Sequence, residues 1–249
     1  MAKMRADLMV VDQGLAPSRT RAQALILAGV VLDIHGNRIE KPGQNLPETT
    51  ELHLKGQPIP YVSRGGLKLE GALKAYDISV EDAVCLDVGA STGGFTDCLL
   101  QRGAQKVFAV DVGYNQLVYS LRQDERVVCM ERINVRTWDP EMLGQKVSVI
   151  TIDVSFISLM LILESVLGAA GPNCRLVALV KPQFEVGREE VGKGGIVRNE
   201  VARDAALVRI QDEVLRLGAT ELETMDSPIL GTKGNHEFLL TCVFGESSI

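Results

Sequence analysis

The chain has 249 residues, 46% of them hydrophobic and 23% charged, and a net charge of −6. This is the composition of ordinary globular material, long enough for two domains of unequal size, and the acidic balance excludes a uniformly basic nucleic-acid coat. The charge is uneven all the same: residues 1–41 hold six bases against four acids, and the rest of the chain twenty against twenty-eight.

At the start, "MAKMRADLMVVDQGL" breaks its apolar run with charges, so it does not read as a secretion signal. "LMVVDQGL" reads as a short helix ending at Gly14. A second helix follows in "SRTRAQALILAG": Ser18 is a good N-cap, Ala22, Leu25 and Ile26 form one apolar stripe, and Gly29 is a good stop. "VVLDI", a turn at His35-Gly36-Asn37 and "ELHL" supply short strands, completing a small α+β module. Arg19 and Arg21 lie in the first turn of the second helix, at the positive end of its dipole. Cations are disfavoured there unless an anion sits opposite, so the pair is either solvated surface or a phosphate site.

Pro58, Pro60 and the pair Gly65-Gly66 interrupt any regular element, which sets a first domain at 1–58, a linker at 59–66 and a second domain at 67–249. In the second domain "AVCLDVG", "KVFAVDVG", "RVVCMER", "VSVITIDVS" and "CRLVALVKP" are apolar strands without clean alternation, as in a sheet covered on both faces. Helical patterns lie between them, "GGFTDCLLQRG" and "ISLMLILESVLGAAG" among them. The latter carries Glu164 in its middle and is too short to span a membrane. A long helix, "NEVARDAALVRIQDEVLRLG", precedes two last strands, "ATELETM" and "HEFLLTCVF". The expectation is a doubly wound α/β sheet. The five cysteines show no C-x-x-C spacing and are expected reduced, with no metal site, in a cytoplasmic protein.

Residues 85–100, "CLDVGASTGGFTDCLL", admit two chemistries. Gly89-Ala90-Ser91-Thr92-Gly93 spells the G-x-S-x-G of a hydrolase nucleophile elbow. From Asp87 to Gly94 the same letters give an acid, a glycine and a glycine pair, a loop that holds a nucleotide-like cofactor against bare backbone. The next strand ends in Asp111, 22 residues after Gly89, about where an acid meets ribose hydroxyls. Position 91 is serine, so the dehydrogenase pattern G-x-G-x-x-G is absent. The hydrolase alternative has only His236 as a late base, placed at the opening of a strand instead of on a loop after it. Lys68, Asp153, Lys181 and Glu237 fall at element ends on the same edge of the sheet and form a second candidate cluster.

These features together carry a resemblance. Arg5-x-Asp7, Gly14-Leu15, Ser18-Arg19, Ala22, Leu25-Ile26, Gly29-Val30 and Lys41-Pro42-Gly43 resemble the S4-type RNA-binding module. With "YVSRGG", "LDVGASTGGFTD" and the Lys68–Asp153–Lys181–Glu237 order, the whole chain resembles the TlyA family, labelled hemolysins and similar to FtsJ-type ribosomal RNA 2′-O-methyltransferases. The resemblance implies a Rossmann-like class I methyltransferase sheet. It also implies S-adenosylmethionine as cofactor and a cytidine 2′-hydroxyl in ribosomal RNA, of the large subunit, as acceptor. The expected cofactor residues are Asp87, Gly89, Ala90, Ser91, Gly93, Gly94, Phe95, Thr96 and Asp111, with Asn134 near the adenine. Arg5, Arg19, Arg21, Lys41 and Arg64 are expected to bind RNA. Lys181 is expected to act as base with Asp153 orienting it, while Lys68 and Glu237 position the ribose. No protein partner and no membrane are implied. The rival readings are a non-catalytic ribosome-assembly factor and a membrane-lytic toxin.

Overall fold

The computed structural model describes residues 3–34, 36–55, 60–231 and 234–245. His35 of the expected turn, and Pro58 and Ile59 of the expected seam, lie outside these. The chain divides into two compact units, Met1–Ile59 and Pro60–Ile249.

The first unit runs β1 (Lys3–Arg5), α1 (Ala6–Asp12), α2 (Arg19–Leu27), β2 (Val31–Asp33), β3 (Asn45–Pro47) and β4 (Leu52–Leu54). Ser18 caps α2, its Oγ accepting from the Arg21 amide at 3.3 Å. Met9 and Val10 of α1 and Ala22 and Ile26 of α2 close over Val31, Ile39, Leu46 and Leu52. β2 and β4, both expected as strands, pair antiparallel. The pairing of β1 with β3 was not legible, because three residues of Lys-Met-Arg and a partner forty residues on carry no alternation to read.

The second unit runs α3 (Gly65–Ala75), β5 (Val84–Val88), α4 (Gly94–Gln101), β6 (Lys106–Asp111), α5 (Tyr119–Arg122), β7 (Val127–Glu131), β8 (Val147–Ile152), α6 (Leu163–Leu167), β9 (Ala170–Val180), α7 (Pro182–Glu185), α8 (Glu200–Arg216), β10 (Thr220–Asp226) and β11 (Phe238–Phe244). One seven-stranded sheet has the order β10-β11-β9-β8-β5-β6-β7. Its strands are parallel from β7 to β9, and β11 enters antiparallel between β9 and β10. Alternate residues of each strand serve opposite cores. Leu86, Ile150, Leu176 and Ala178 join Ile210 and Val214 of α8, while Cys85, Val149, Val177 and Leu179 join Leu69 of α3 and Leu99 of α4. Both faces are covered, which explains why the strands read as continuous apolar runs.

Two expectations are corrected here. Residues 60–66 are no linker: Tyr61 is buried, the Val62 amide donates to Asp97 at 2.8 Å, and α3 already starts at Gly65. "ISLMLILESVLGAAG" is no single helix. Ser158 caps a 3₁₀ turn at Leu159–Leu161, α6 spans five residues, and the chain is already in β9 at Ala170. Apolar composition alone mimicked helical length, whereas the segment has to reverse direction to enter the sheet. Among the described residues no helix is long and apolar enough to cross a membrane.

Candidate active site

A cavity of about 710 Å³ opens at the carboxyl edge of the parallel strands, where α/β sheets bind ligands. Its floor is the turn after β5. The amides of Gly89 and Ala90 both donate to the Val110 carbonyl, at 2.8 and 3.2 Å, folding the chain back sharply. Gly89 has φ +84°, and a Cβ there would lie 2.5 Å from the carbonyl oxygen of Asp153. Gly94 and Phe95 line the cavity as the first residues of α4, whose leading N–H groups have no acceptor within the helix. Ser91 takes φ +48° and donates its amide to Asp111 Oδ2 at 2.8 Å, while Asp111 Oδ1 accepts from the Gly113 amide at 2.6 Å. The acid at the end of β6 is thus fixed at the flank of the glycine loop.

The four charged residues converge. Asp153 follows β8, Lys181 follows β9, and Lys68 comes from the first turns of α3. Glu237 precedes its strand: β11 runs antiparallel, and its register Phe238↔Val180 brings Glu237 to the edge where Lys181 leaves β9. All four line the cavity. Lys68 Nζ stands 2.6 Å from Glu237 Oε2, and Lys181 Nζ stands 2.6 Å from Asp153 Oδ1. The second pair meets off the hydrogen-bonding axis. The directed bond of Lys181 goes to Ser155 Oγ at 3.0 Å, and buried Asp153 Oδ1 receives no hydrogen bond. Gln183 Oε1, also in the lining, is a second buried acceptor without a donor. Asp153 Oδ1 is compensated by the Lys181 charge, so Gln183 Oε1 is the acceptor that calls for a ligand bringing donors, as an amino group or sugar hydroxyls do.

Some expected cofactor residues sit elsewhere. Asp87 is fully buried, accepting from Thr96 Oγ1 at 2.6 Å and Thr151 Oγ1 at 3.1 Å, and none of Asp87, Gly93, Thr96 and Asp111 lines the cavity. Asp87 and Thr96 brace the loop from beneath. Asn134 is exposed outside the cavity lining, and its Oδ1 accepts from the Arg136 amide at 3.1 Å. The hydrolase reading fails on geometry: among the described residues no histidine lines the cavity, and the Ser91 amide is engaged with Asp111.

Burial pushes the Asp87 carboxyl up to about 7, against the pull of the Thr96 and Thr151 hydroxyls. The unfolded chain therefore releases this proton near pH 4 and the folded one near pH 7, so stability falls as pH rises through that window. Asp87→Asn is expected to match the parent at pH 4 and exceed it at pH 7 by up to about 4 kcal/mol. Thermal unfolding of both proteins across this range checks it, and parallel curves would show that Asp87 folds ionised.

Sequence reasoning missed Ser155, Phe156 and Phe184. Phe156 lines the cavity, yet is 91% exposed and has φ +67°, an outlier for a bulky residue. Its ring centroid lies 5.2 Å from that of Phe184. Arg64, expected to bind RNA, is exposed and lines the same cavity.

In the first unit an anion does sit opposite one of the two helix arginines, Arg19, and the protein supplies it. Fully buried Asp7 accepts two bonds from Arg5 at 3.0 and 2.9 Å, one from Arg19 at 3.0 Å and one from Gln23 at 2.8 Å. Bonding to Arg5 above all holds its carboxyl well below the usual carboxylate range. Arg5 and Arg19 keep half-exposed guanidinium groups, whereas Arg21 and Lys41 are exposed with no side-chain partner among the described residues.

Residues 61–244 match the family model of the FtsJ-like methyltransferases. The Bacillus subtilis protein YqxC, whose name assigns it provisionally to the rRNA methyltransferases, is 50% identical over 96% of this chain and 85% of its own. The Mycobacterium tuberculosis 16S/23S rRNA (cytidine-2′-O)-methyltransferase TlyA is 44% identical over 96% of this chain and 89% of its own. A solved structure from Streptococcus thermophilus that carries a provisional hemolysin name is 46% identical. It superposes with a TM-score of 0.75 over 99% of this chain and 90% of that one. With the glycine loop and the paired lysines and carboxylates in one cavity, the chain belongs to the FtsJ-like methyltransferase family and, within it, to the group of TlyA.

Proposed function

We propose that the protein methylates the 2′-hydroxyl of a cytidine in ribosomal RNA, and that the RNA of the large subunit is its target. The observation that carries this reading is the pairing of Lys181 with Asp153 and of Lys68 with Glu237 inside the cavity floored by the glycine loop. As an FtsJ-like methyltransferase the chain uses S-adenosylmethionine, whose sulfonium supplies an already activated methyl group. The backbone of residues 89–95 would hold the methionine part and Asp111 the ribose hydroxyls.

The protein's own residues then have two tasks, alignment and removal of the hydroxyl proton. Lys181 takes that proton as the neutral amine, becoming the ammonium that Asp153 pairs, and is held in place by Asp153 and Ser155. Lys68 and Glu237, a nearly buried pair, fix the ribose. Exposed Phe156 at the cavity mouth offers a face on which a base drawn out of its stack can lie. The test is incubation of the purified chain with labelled S-adenosylmethionine and separate large- and small-subunit RNA, followed by mapping of modified nucleotides. Label on a cytidine ribose of the large-subunit RNA is expected. Label on bases only would overturn the 2′-hydroxyl assignment, and label confined to small-subunit RNA the choice of subunit.

The first unit is assigned to RNA phosphates, and its structure changes the choice of probes. Arg19→Glu would press a second carboxylate against buried Asp7 and damage the fold, so Arg21→Glu with Lys41→Glu is the cleaner pair. If both contact phosphates, the double reversal lowers the slope of log affinity against log salt by about two units. Filter binding of ribosomal RNA across a salt series reads this directly. An unchanged slope would place the RNA elsewhere.

A further inference from the structure

The segment between β8 and α6 is held at two points one helical turn apart, by Lys181 just before α7 and by Glu185 at its end. On one side Lys181 donates to Ser155 Oγ at 3.0 Å. On the other, the Glu185 carboxylate accepts from Ser158 Oγ and from the Leu159 amide, the latter at 2.9 Å. Phe156 lies between these anchors, and Phe184, which its ring meets, lies between Lys181 and Glu185 on α7. The Glu185 carbonyl in turn accepts from the Arg209 guanidinium, tying α7 to α8. Glu185 is 9% exposed and outside the cavity lining, so nothing in the methyl-transfer chemistry accounts for a carboxylate at that position.

A bulky residue at φ +67° with 91% exposure has no packing of its own sufficient to keep it there. Cut free at either end, the segment would relax and the ring would leave the cavity mouth. The anchor on the Ser155 side is one of the reacting groups. The other has no duty but to hold.

We propose that Glu185 is a positioning residue for methyl transfer: from outside the cavity it fixes Ser158 and Leu159, so that Phe156 is presented at the mouth in its strained backbone conformation. The proposal rests on the reading of Phe156 as a base-stacking surface. Glu185→Gln keeps an acceptor for the Leu159 amide and gains a donor toward the Ser158 hydroxyl, so it rescues most of what Glu185→Ala loses.

The test uses the full chain and two independent readouts. Hydrogen exchange in the unliganded protein is expected to show the Leu159 amide exchanging at least about tenfold faster in E185A, with the sheet protected as before. Unchanged protection at Leu159 would overturn the proposal whatever the RNA activity. The second readout is a double-mutant cycle in kcat/KM for ribosomal RNA. E185A and F156A each lower it roughly 10–100-fold, the size of one lost base stack. The double variant falls no more than about twofold below F156A, because both remove one interaction. S-adenosylmethionine affinity is expected unchanged throughout, which a merely loosened fold would not leave intact. Losses that multiply in the double variant would overturn the route through Phe156. If E185A does not fold, Ser158→Ala, which removes one of the two anchoring bonds together with the cap on the Met160 amide, is carried through the same cycle. A wild-type chain inactive on ribosomal RNA would defeat the proposed function, while the exchange experiment still decides the role of Glu185.

Discussion

Lys181→Ala is expected to lower single-turnover methyl transfer by about 1000-fold or more, the range of a lost general base, while affinities for S-adenosylmethionine and RNA stay within a few fold. Lys181 Nζ sits 2.6 Å from Asp153 Oδ1 and 3.0 Å from Ser155 Oγ, with a tenth of the side chain exposed. Two roles fit that position, a base for the hydroxyl proton and a fixed positive charge, and alanine removes both. Arginine separates them. A guanidinium keeps the charge and reaches the same carboxylate, but it does not deprotonate in proteins and accepts no proton. Lys181→Arg is therefore expected to be nearly as inactive as the alanine variant. Substantial activity in the arginine variant would leave Lys181 a clamp and assign the proton to solvent. Because truncation unpairs Asp153, calorimetric titration with the cofactor accompanies the kinetics, so that a collapsed cavity is not read as lost chemistry.

What the sequence revealed of this site follows a physical division. Gly89, Asp153 and Lys181 were legible as residues of the cavity because a parallel sheet delivers the ends of successive strands to one edge, and the end of an apolar run is readable in the letters, whereas Asp111, also at a strand end, lies outside the lining. Glu237 fitted for a reason not visible in advance: it precedes its strand, and only the antiparallel entry of β11 returns it to that edge. Asp87 was misplaced because in a strand buried on both faces no alternation tells which way a side chain points. It points into the unit, onto Thr96 and Thr151. The Arg19 partner, Asp7, lies a helix away, and its burial is a property of packing that no local pattern encodes. Ser155, Phe156 and Glu185 were invisible for the same reason, since their arrangement exists only once α7 lies against the segment after β8. Strand ends are written locally, whereas the braces that hold a loop are not.

The glycine loop and the charged cluster share one backbone contact, so a single methyl group is expected to damage both. Gly89→Ala puts a Cβ 2.5 Å from the Asp153 carbonyl oxygen and 2.9 Å from its carbon. Those atoms belong to the backbone and have nowhere to go, because the Asp153 amide is bonded to the Val88 carbonyl at 2.9 Å in the adjacent strand. The collision is relieved only by moving the cofactor loop away from the end of β8, which carries Asp153 and, through it, the placement of Lys181. To this is added the roughly 1–2 kcal/mol that any side chain costs in the left-handed region, here φ +84°. The expected result is a loss of S-adenosylmethionine affinity of about 100-fold together with a fall in the methylation rate at saturating cofactor of similar size, since small misplacements of reacting groups cost that much. Gly144→Ala isolates the backbone cost, because Gly144 has φ +68°, a methyl group there would meet no atom within 4 Å, and the residue lies outside the cavity lining. It should lose thermal stability and keep full cofactor affinity and activity. Titration calorimetry and single-turnover methylation of the two variants decide the matter. A Gly89→Ala protein that binds the cofactor normally but does not methylate would confine the damage to Asp153, and one that does both would show the end of β8 free to yield.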